Sequence, residues 1–126
     1  MSRFLNVQEV INIHDLLIIK HGGLMGLRDL GLLILAVKTT KIQIDKKFLH
    51  CTIYEQAAAY LFHICKNHPF IDGNKRTAAA SSLIFLEDNE IELKLNVDEF
   101  EHMVVKTAKG HISKKQISLF FEQSQC

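Results

Sequence analysis

The chain has 126 residues, 48% of them hydrophobic, and its length predicts one domain, residues 1–126, able to bury its own core. A formal charge of +1 with 23% charged residues leaves no footprint for nucleic acid or an anionic membrane surface. Cys51, Cys65 and Cys126 are too few and too irregular for a disulfide framework; no apolar run has membrane-spanning length, and the N-terminus lacks a signal-peptide layout, so a soluble cytoplasmic protein is expected.

Asn6 with Glu9 forms a capping pair that opens an apolar-rich helix to about Lys20, ended by Gly22-Gly23. Val10, Ile13, Leu17 and the Ile18-Ile19 pair fall on overlapping helical stripes, predicting a well-buried helix. Leu24 to Leu27, read from its residues, is a connector between glycines, with a short strand or extended flap as the alternative. Asp29 caps a second, nearly all-apolar helix to about Lys38, which is either central to the core or covered by a partner. Thr39 to Cys51 reads as a polar, irregular loop.

Thr52 with Glu55 reads as a capping box for a helix to Asn67, tightly packed through Ala57, Ala58, Ala59, Leu61, Phe62 and Ile64. After a turn, a helix runs from Asn74 to Asp88, and its small residues Thr77 to Ala80 allow close approach of a neighbour. Ile91 to Leu95 is a candidate short strand. Asn96 with Glu99 caps a fifth helix ending at Gly110, and Ser113 with Gln116 caps a sixth. The expected fold is mainly α, a compact six-helix bundle with a small β flap or short strand. His63, Cys65 and His68 do not make a zinc site, because His63-x-Cys65 splits across helical faces and no second cluster completes four ligands.

The turn between the third and fourth helices concentrates the chemistry. His68-Pro69-Phe70-Ile71-Asp72-Gly73-Asn74-Lys75-Arg76 places a base, a carboxylate, a Gly-Asn pair and two cations at a helix start. First-turn N–H groups lack helical partners and carry partial positive charge, so this is a place for phosphate. Gly73 lets the backbone approach an anion, Lys75 and Arg76 add charge, and Arg76 can grip two oxygens. Asp72 is a hard oxygen ligand of the kind Mg²⁺ takes, and His68 can accept a hydroxyl proton near neutral pH. Each residue also has a plain reading: His68 a spacer, Asp72 or Asn74 a cap, Lys75-Arg76 a solvated face, Phe70 a core anchor. Together they point to phosphoryl or nucleotidyl transfer.

The nine residues resemble the signature of the Fic/Doc superfamily, H-x-F-x-(D/E/N)-(G/A)-N-(G/K)-R, and Lys75 in place of Gly is similar to the Doc (death-on-curing) branch. His21 to Leu33 is similar to that family's G-G-L-x-G-x-R-D-x-G-L-L segment, so the resemblance spans nearly the whole chain; Thr39 to Cys51 departs most from it. The resemblance implies a toxin of a toxin–antitoxin pair that phosphorylates a protein hydroxyl with ATP and Mg²⁺, the target being a threonine of elongation factor Tu. It implies His68 as base, Asp72 as Mg²⁺ ligand, and Gly73, Asn74, Lys75 and Arg76 as phosphate-binding groups, Arg76 also stabilising the transition state. Fic-type AMP transfer and a catalytically silent interaction module are the alternatives. It also implies that residues 24–27 form a flap beside the site and that a separate antitoxin restrains the enzyme, with the first two helices offering its groove. Ser118 to Gln123 partly resembles the family's inhibitory S/T-x-x-x-E-(G/N) helix, but Glu122 there reads as a solvent-facing residue of an amphipathic helix.

Overall fold

Helix starts in this chain are set by short polar side chains. The computed structural model describes residues 2–126 and contains α1 (Val7–His21), α2 (Leu30–Thr39), α3 (Ile53–Asn67), α4 (Asn74–Asp88), α5 (Val97–Ala108) and α6 (Lys114–Gln123). Asn6, Asp29, Thr52, Asn96 and Ser113 each accept a hydrogen bond from a first-turn N–H, as N-cap side chains do. Reciprocal capping boxes form at Asn6–Glu9 and Ser113–Gln116. Thr52–Glu55 is only half a box, because the Glu55 carboxylate accepts from the Cys51 N–H instead. The start of α4 alone has no side-chain cap among the described residues; Gly73 stands there in a left-handed conformation, φ 78°.

The central element is α3, which packs against α2, α4, α5 and α6. Ala57, Ala58, Tyr60, Leu61 and Ile64 are fully buried along it, and Thr77, Ala78, Ser81 and Ser82 of α4 are buried opposite. Small side chains on facing helices let the two backbones approach closely. That closeness brings the end of α3 and the start of α4 together across a turn of only six residues. The core is completed by Leu5, Val10, Leu33, Val37, Phe85, Met103, Ile117 and Phe121.

The β structure lies elsewhere than its expected places. β1 (Gln43–Ile44) and β2 (Lys47–Phe48) pair antiparallel inside the stretch read as irregular loop. Asp45 and Lys46 turn the hairpin with φ of 51° and 66°, the twisted two-residue turn that fits the strands' own twist. Residues 91–95 are not a strand; Leu93 makes one isolated bridge to Gln125. α2 is not central either. Leu33, Ala36 and Val37 face the core, while Leu30 and Leu35 are exposed. No described helix is long and apolar enough to cross a membrane.

Candidate active site

His68 ends α3 in the left-handed region, φ 49° and ψ 55°, a conformation that closes a helix but strains a residue with a Cβ. Arg28 holds it there. Its Nε donates to the His68 carbonyl at 2.7 Å and its Nη2 to the Asn67 carbonyl at 2.8 Å. A guanidinium suits this position because the last carbonyls of a helix carry partial negative charge. The His68 imidazole itself is exposed and makes no hydrogen bond among the described residues, leaving it free to face the cleft that it lines.

The connector of residues 22–29 proves to be a flap clamped onto this loop. Arg28 and Asp29 N–H groups donate to the Pro69 carbonyl, Ile71 N–H donates to the Gly26 carbonyl, and Leu27 bridges Phe70 antiparallel. The plain-connector reading of residues 24–27 is therefore overturned by backbone pairing, a signal that side-chain pattern does not carry. Gly23 matters for a specific reason. It has φ +123°, and a Cβ there would lie 2.8 Å from the Asp72 Oδ2.

Asp72 is exposed but not loose. Its Oδ2 accepts from the Leu24 N–H at 3.1 Å and its Oδ1 from the Gly73 N–H at 2.9 Å. These two N–H groups, and behind them Arg76, hold its carboxyl below the usual carboxylate range. Each oxygen of a carboxylate has two acceptor positions, so one remains on each. An ionised, oriented carboxylate with acceptor positions to spare is the hard oxygen donor that suits Mg²⁺.

The Asn74 side chain braces the loop from within. The residue is 5% exposed; Oδ1 accepts from the Phe70 N–H and Nδ2 donates to the Phe70 carbonyl, both at 2.9 Å. The amide thus braces the loop, while the backbone N–H of Asn74 and the second N–H of its Nδ2 make no hydrogen bond among the described residues. With Lys75 and Arg76 N–H groups that backbone N–H forms the first turn of α4, before the helical pattern resumes at Thr77 N–H to Gly73 carbonyl. Lys75 and Arg76 are exposed and form no ion pair among the described residues. Phe70 is the core anchor expected of it, 1% exposed.

His68, Asp72, Gly73, Asn74, Lys75 and Arg76 all line one cleft of about 1130 Å³. Its lining also includes apolar side chains, Ala79 and Leu83 of α4, Leu95, and Phe100, Val104 and Val105 of α5, with Glu101 and Lys109 among them. Cys65 also lines it, but burial pushes its thiol up to about 12, so it acts as wall and not nucleophile. Sequence reasoning missed two site residues, Arg28 as the clamp on α3 and His14 beneath the loop; His14 was detectable as a polar residue on the buried stripe of Val10 and Ile18.

Two features named from sequence fall outside the cleft. Glu122 lines a separate cavity with His50 and Lys114. His63 is half-buried, with its Nε2 3.0 Å from Lys114 Nζ, and the same ammonium is 3.2 Å from His50 Nε2. No group of three or more His, Cys, Asp or Glu placed to hold a metal ion together occurs among the described residues.

A family model described as the Fic/DOC family matches residues 4–86. The chain is 30% identical over 116 residues to the protein kinase doc of Escherichia phage P1, covering 92% of this chain and 90% of that one. It is 33% identical over 98 residues to the toxin Doc of Mycolicibacterium smegmatis, covering 78% and 73% respectively. The chain therefore belongs to the Fic/DOC family, on its Doc branch.

Proposed function

We propose that this chain is the cytoplasmic toxin of a toxin–antitoxin pair, a kinase that moves the terminal phosphoryl group of Mg²⁺-ATP to a hydroxyl of a protein, a threonine of elongation factor Tu being the target. One observation carries the reading: a free imidazole, an oriented carboxylate and an uncapped helix start with two unpaired cations share one cleft. The names of the two relatives, a protein kinase and a toxin, support it.

His68 accepts the proton as the target oxygen attacks phosphorus; the bond to the leaving nucleoside diphosphate breaks, and phosphate ester and ADP result. The first-turn N–H groups of Asn74, Lys75 and Arg76 cradle phosphate oxygens, and the Lys75 and Arg76 side chains balance charge that builds in the transition state. Asp72 would hold Mg²⁺, which would supply positive charge to offset that of the phosphates. The apolar side chains that line the cleft, Leu83, Leu95, Phe100 and Val104 among them, accommodate the nucleoside. The flap, paired to the loop through Gly26 and Leu27, has the edge on which a target segment can be aligned.

A toxin needs a restraint. Leu16 and Ile19 of α1 and Leu30 and Leu35 of α2 are each about half exposed or more, an apolar strip suited to an antitoxin segment that folds on binding. Expressed alone in bacteria, the chain is expected to arrest growth and protein synthesis, and His68→Ala to restore both. Harmless expression of a folded wild-type chain would contradict the reading.

A further inference from the structure

His14 is fully buried on α1, and one of its two ring nitrogens reaches the loop of residues 68–76. Its Nε2 lies 2.8 Å from the carbonyl oxygen of Asp72, 58 residues away in sequence. Its ring stacks on Phe70, centroids 3.8 Å apart and planes 4° from parallel. A Cβ built on Gly73 would stand 3.6 Å from the ring's Cδ2, so the imidazole is also the floor under the turn. Asp15 Oδ1, 3.0 Å from Nδ1, fixes the rotation of the ring.

The flanking residues of the same stripe, Val10 and Ile18, are apolar. A leucine at position 14 would fill comparable space there, but it would leave the Asp72 carbonyl without its partner. Among the described residues, the other bonds to Asp72 reach its carboxylate, from the flap and from Gly73. His14 is the link between the helical frame and the Asp72 peptide itself. A ligand-bearing group held to a few tenths of an ångström needs such outer support, because small displacements of a reacting geometry cost large factors in rate.

We propose that His14 is a positioning residue, whose Nε2–H fixes the Asp72 peptide and thereby aims the Asp72 carboxylate and the N–H groups of the turn that opens α4. It touches no reacting atom, and its role rests on the cation- and phosphate-binding reading of that loop.

Two variants separate its functions. His14→Phe keeps an aromatic ring over Phe70 and removes the donor, whereas His14→Gln carries a terminal N–H₂ able to reach the Asp72 carbonyl. Amide hydrogen exchange is measured on each protein without ligand, and binding of the β,γ-imido analogue of ATP is measured against Mg²⁺ concentration. His14→Phe is expected to exchange at Leu24, Phe70 and Gly73 at least tenfold faster while α3 amides keep their rates. It is also expected to require about tenfold more Mg²⁺ for half-maximal binding, with His14→Gln close to wild type in both. A folded His14→Phe protein with wild-type exchange at those amides and wild-type Mg²⁺ dependence would overturn the proposal and leave His14 a core filler. If His14→Phe does not fold, His14→Asn, too short to reach the carbonyl, is put through the same two tests with the same deciding results. Failure of the wild type to bind the analogue would count against the nucleotide reading, while the exchange arm would still decide whether His14 sets the loop.

Discussion

Replacing Asn74 by alanine separates a loop-closing amide from a phosphate ligand. The substitution removes both hydrogen bonds to Phe70, and it leaves that residue's N–H and carbonyl without partners in a nearly sealed site. Each orphaned group costs about 1–3 kcal/mol, moderated here because the loop's outer side meets solvent and water can reach a loosened backbone. Alanine is also the better helix former at the first position of α4, which returns about half a kcal/mol. The net expectation is a loss of about 2–3 kcal/mol, or roughly 10 °C in Tm for a chain of this length. Urea unfolding followed by circular dichroism gives the stability, and Asn74→Asp sharpens it. Aspartate can accept from the Phe70 N–H but cannot donate to the carbonyl, so it should recover part of the loss and no more. A stability change below about half a kcal/mol, accompanied by loss of nucleotide binding, would refute the reasoning and return Asn74 to the phosphate.

Three further perturbations follow from the same geometry. Gly23→Ala forces a Cβ against Asp72 Oδ2 in a left-handed backbone, so the flap should detach with a loss of about 1–3 kcal/mol; unchanged protection of the Leu24 amide would contradict this. Arg28→Ala uncovers the carbonyls of Asn67 and His68 and should cost about 1–2 kcal/mol, with a larger fractional loss of transfer activity than of stability, read by thermal melts beside a rate assay. Burial first, then the Lys114 ammonium, lower the basicity of His63, to about 4, and of His50. Because these folded-state values lie below the unfolded one, stability is full above pH 6.5 and falls as pH drops from there towards 4. Partial exposure reduces that loss to about 1–2 kcal/mol, and Lys114→Met should shrink it; urea midpoints that stay level across the window would contradict the account.

Helix boundaries were legible because caps are local chemistry. Asn6, Asp29, Thr52, Asn96 and Ser113 each act within three residues of their own position, where sequence carries the whole signal. The His68–Arg76 loop was legible for the same reason, five polar residues within nine. The hairpin at residues 43–48 was not, since its strands have two residues each and its turn is Asp45-Lys46 instead of an Asn-Gly or Asp-Gly pair. The flap's pairing to the loop depends on backbone groups, which every residue possesses, so composition cannot reveal it. Asn74 illustrates a subtler gap. Its residue type fits both an anion site and a loop brace, and only the direction of its amide, toward Phe70, separates the two. His14 and Arg28 act on residues about forty to sixty positions away, a distance over which only the fold brings groups together.

The most direct test of the central claim is the intact mass of elongation factor Tu after incubation with this protein, Mg²⁺ and ATP, with His68→Ala in parallel. The account predicts a gain of about 80 Da, one phosphoryl group, that is absent with the variant. A gain of about 329 Da would mean transfer of AMP and contradict the kinase assignment, as would a target left unmodified by a folded protein that binds nucleotide.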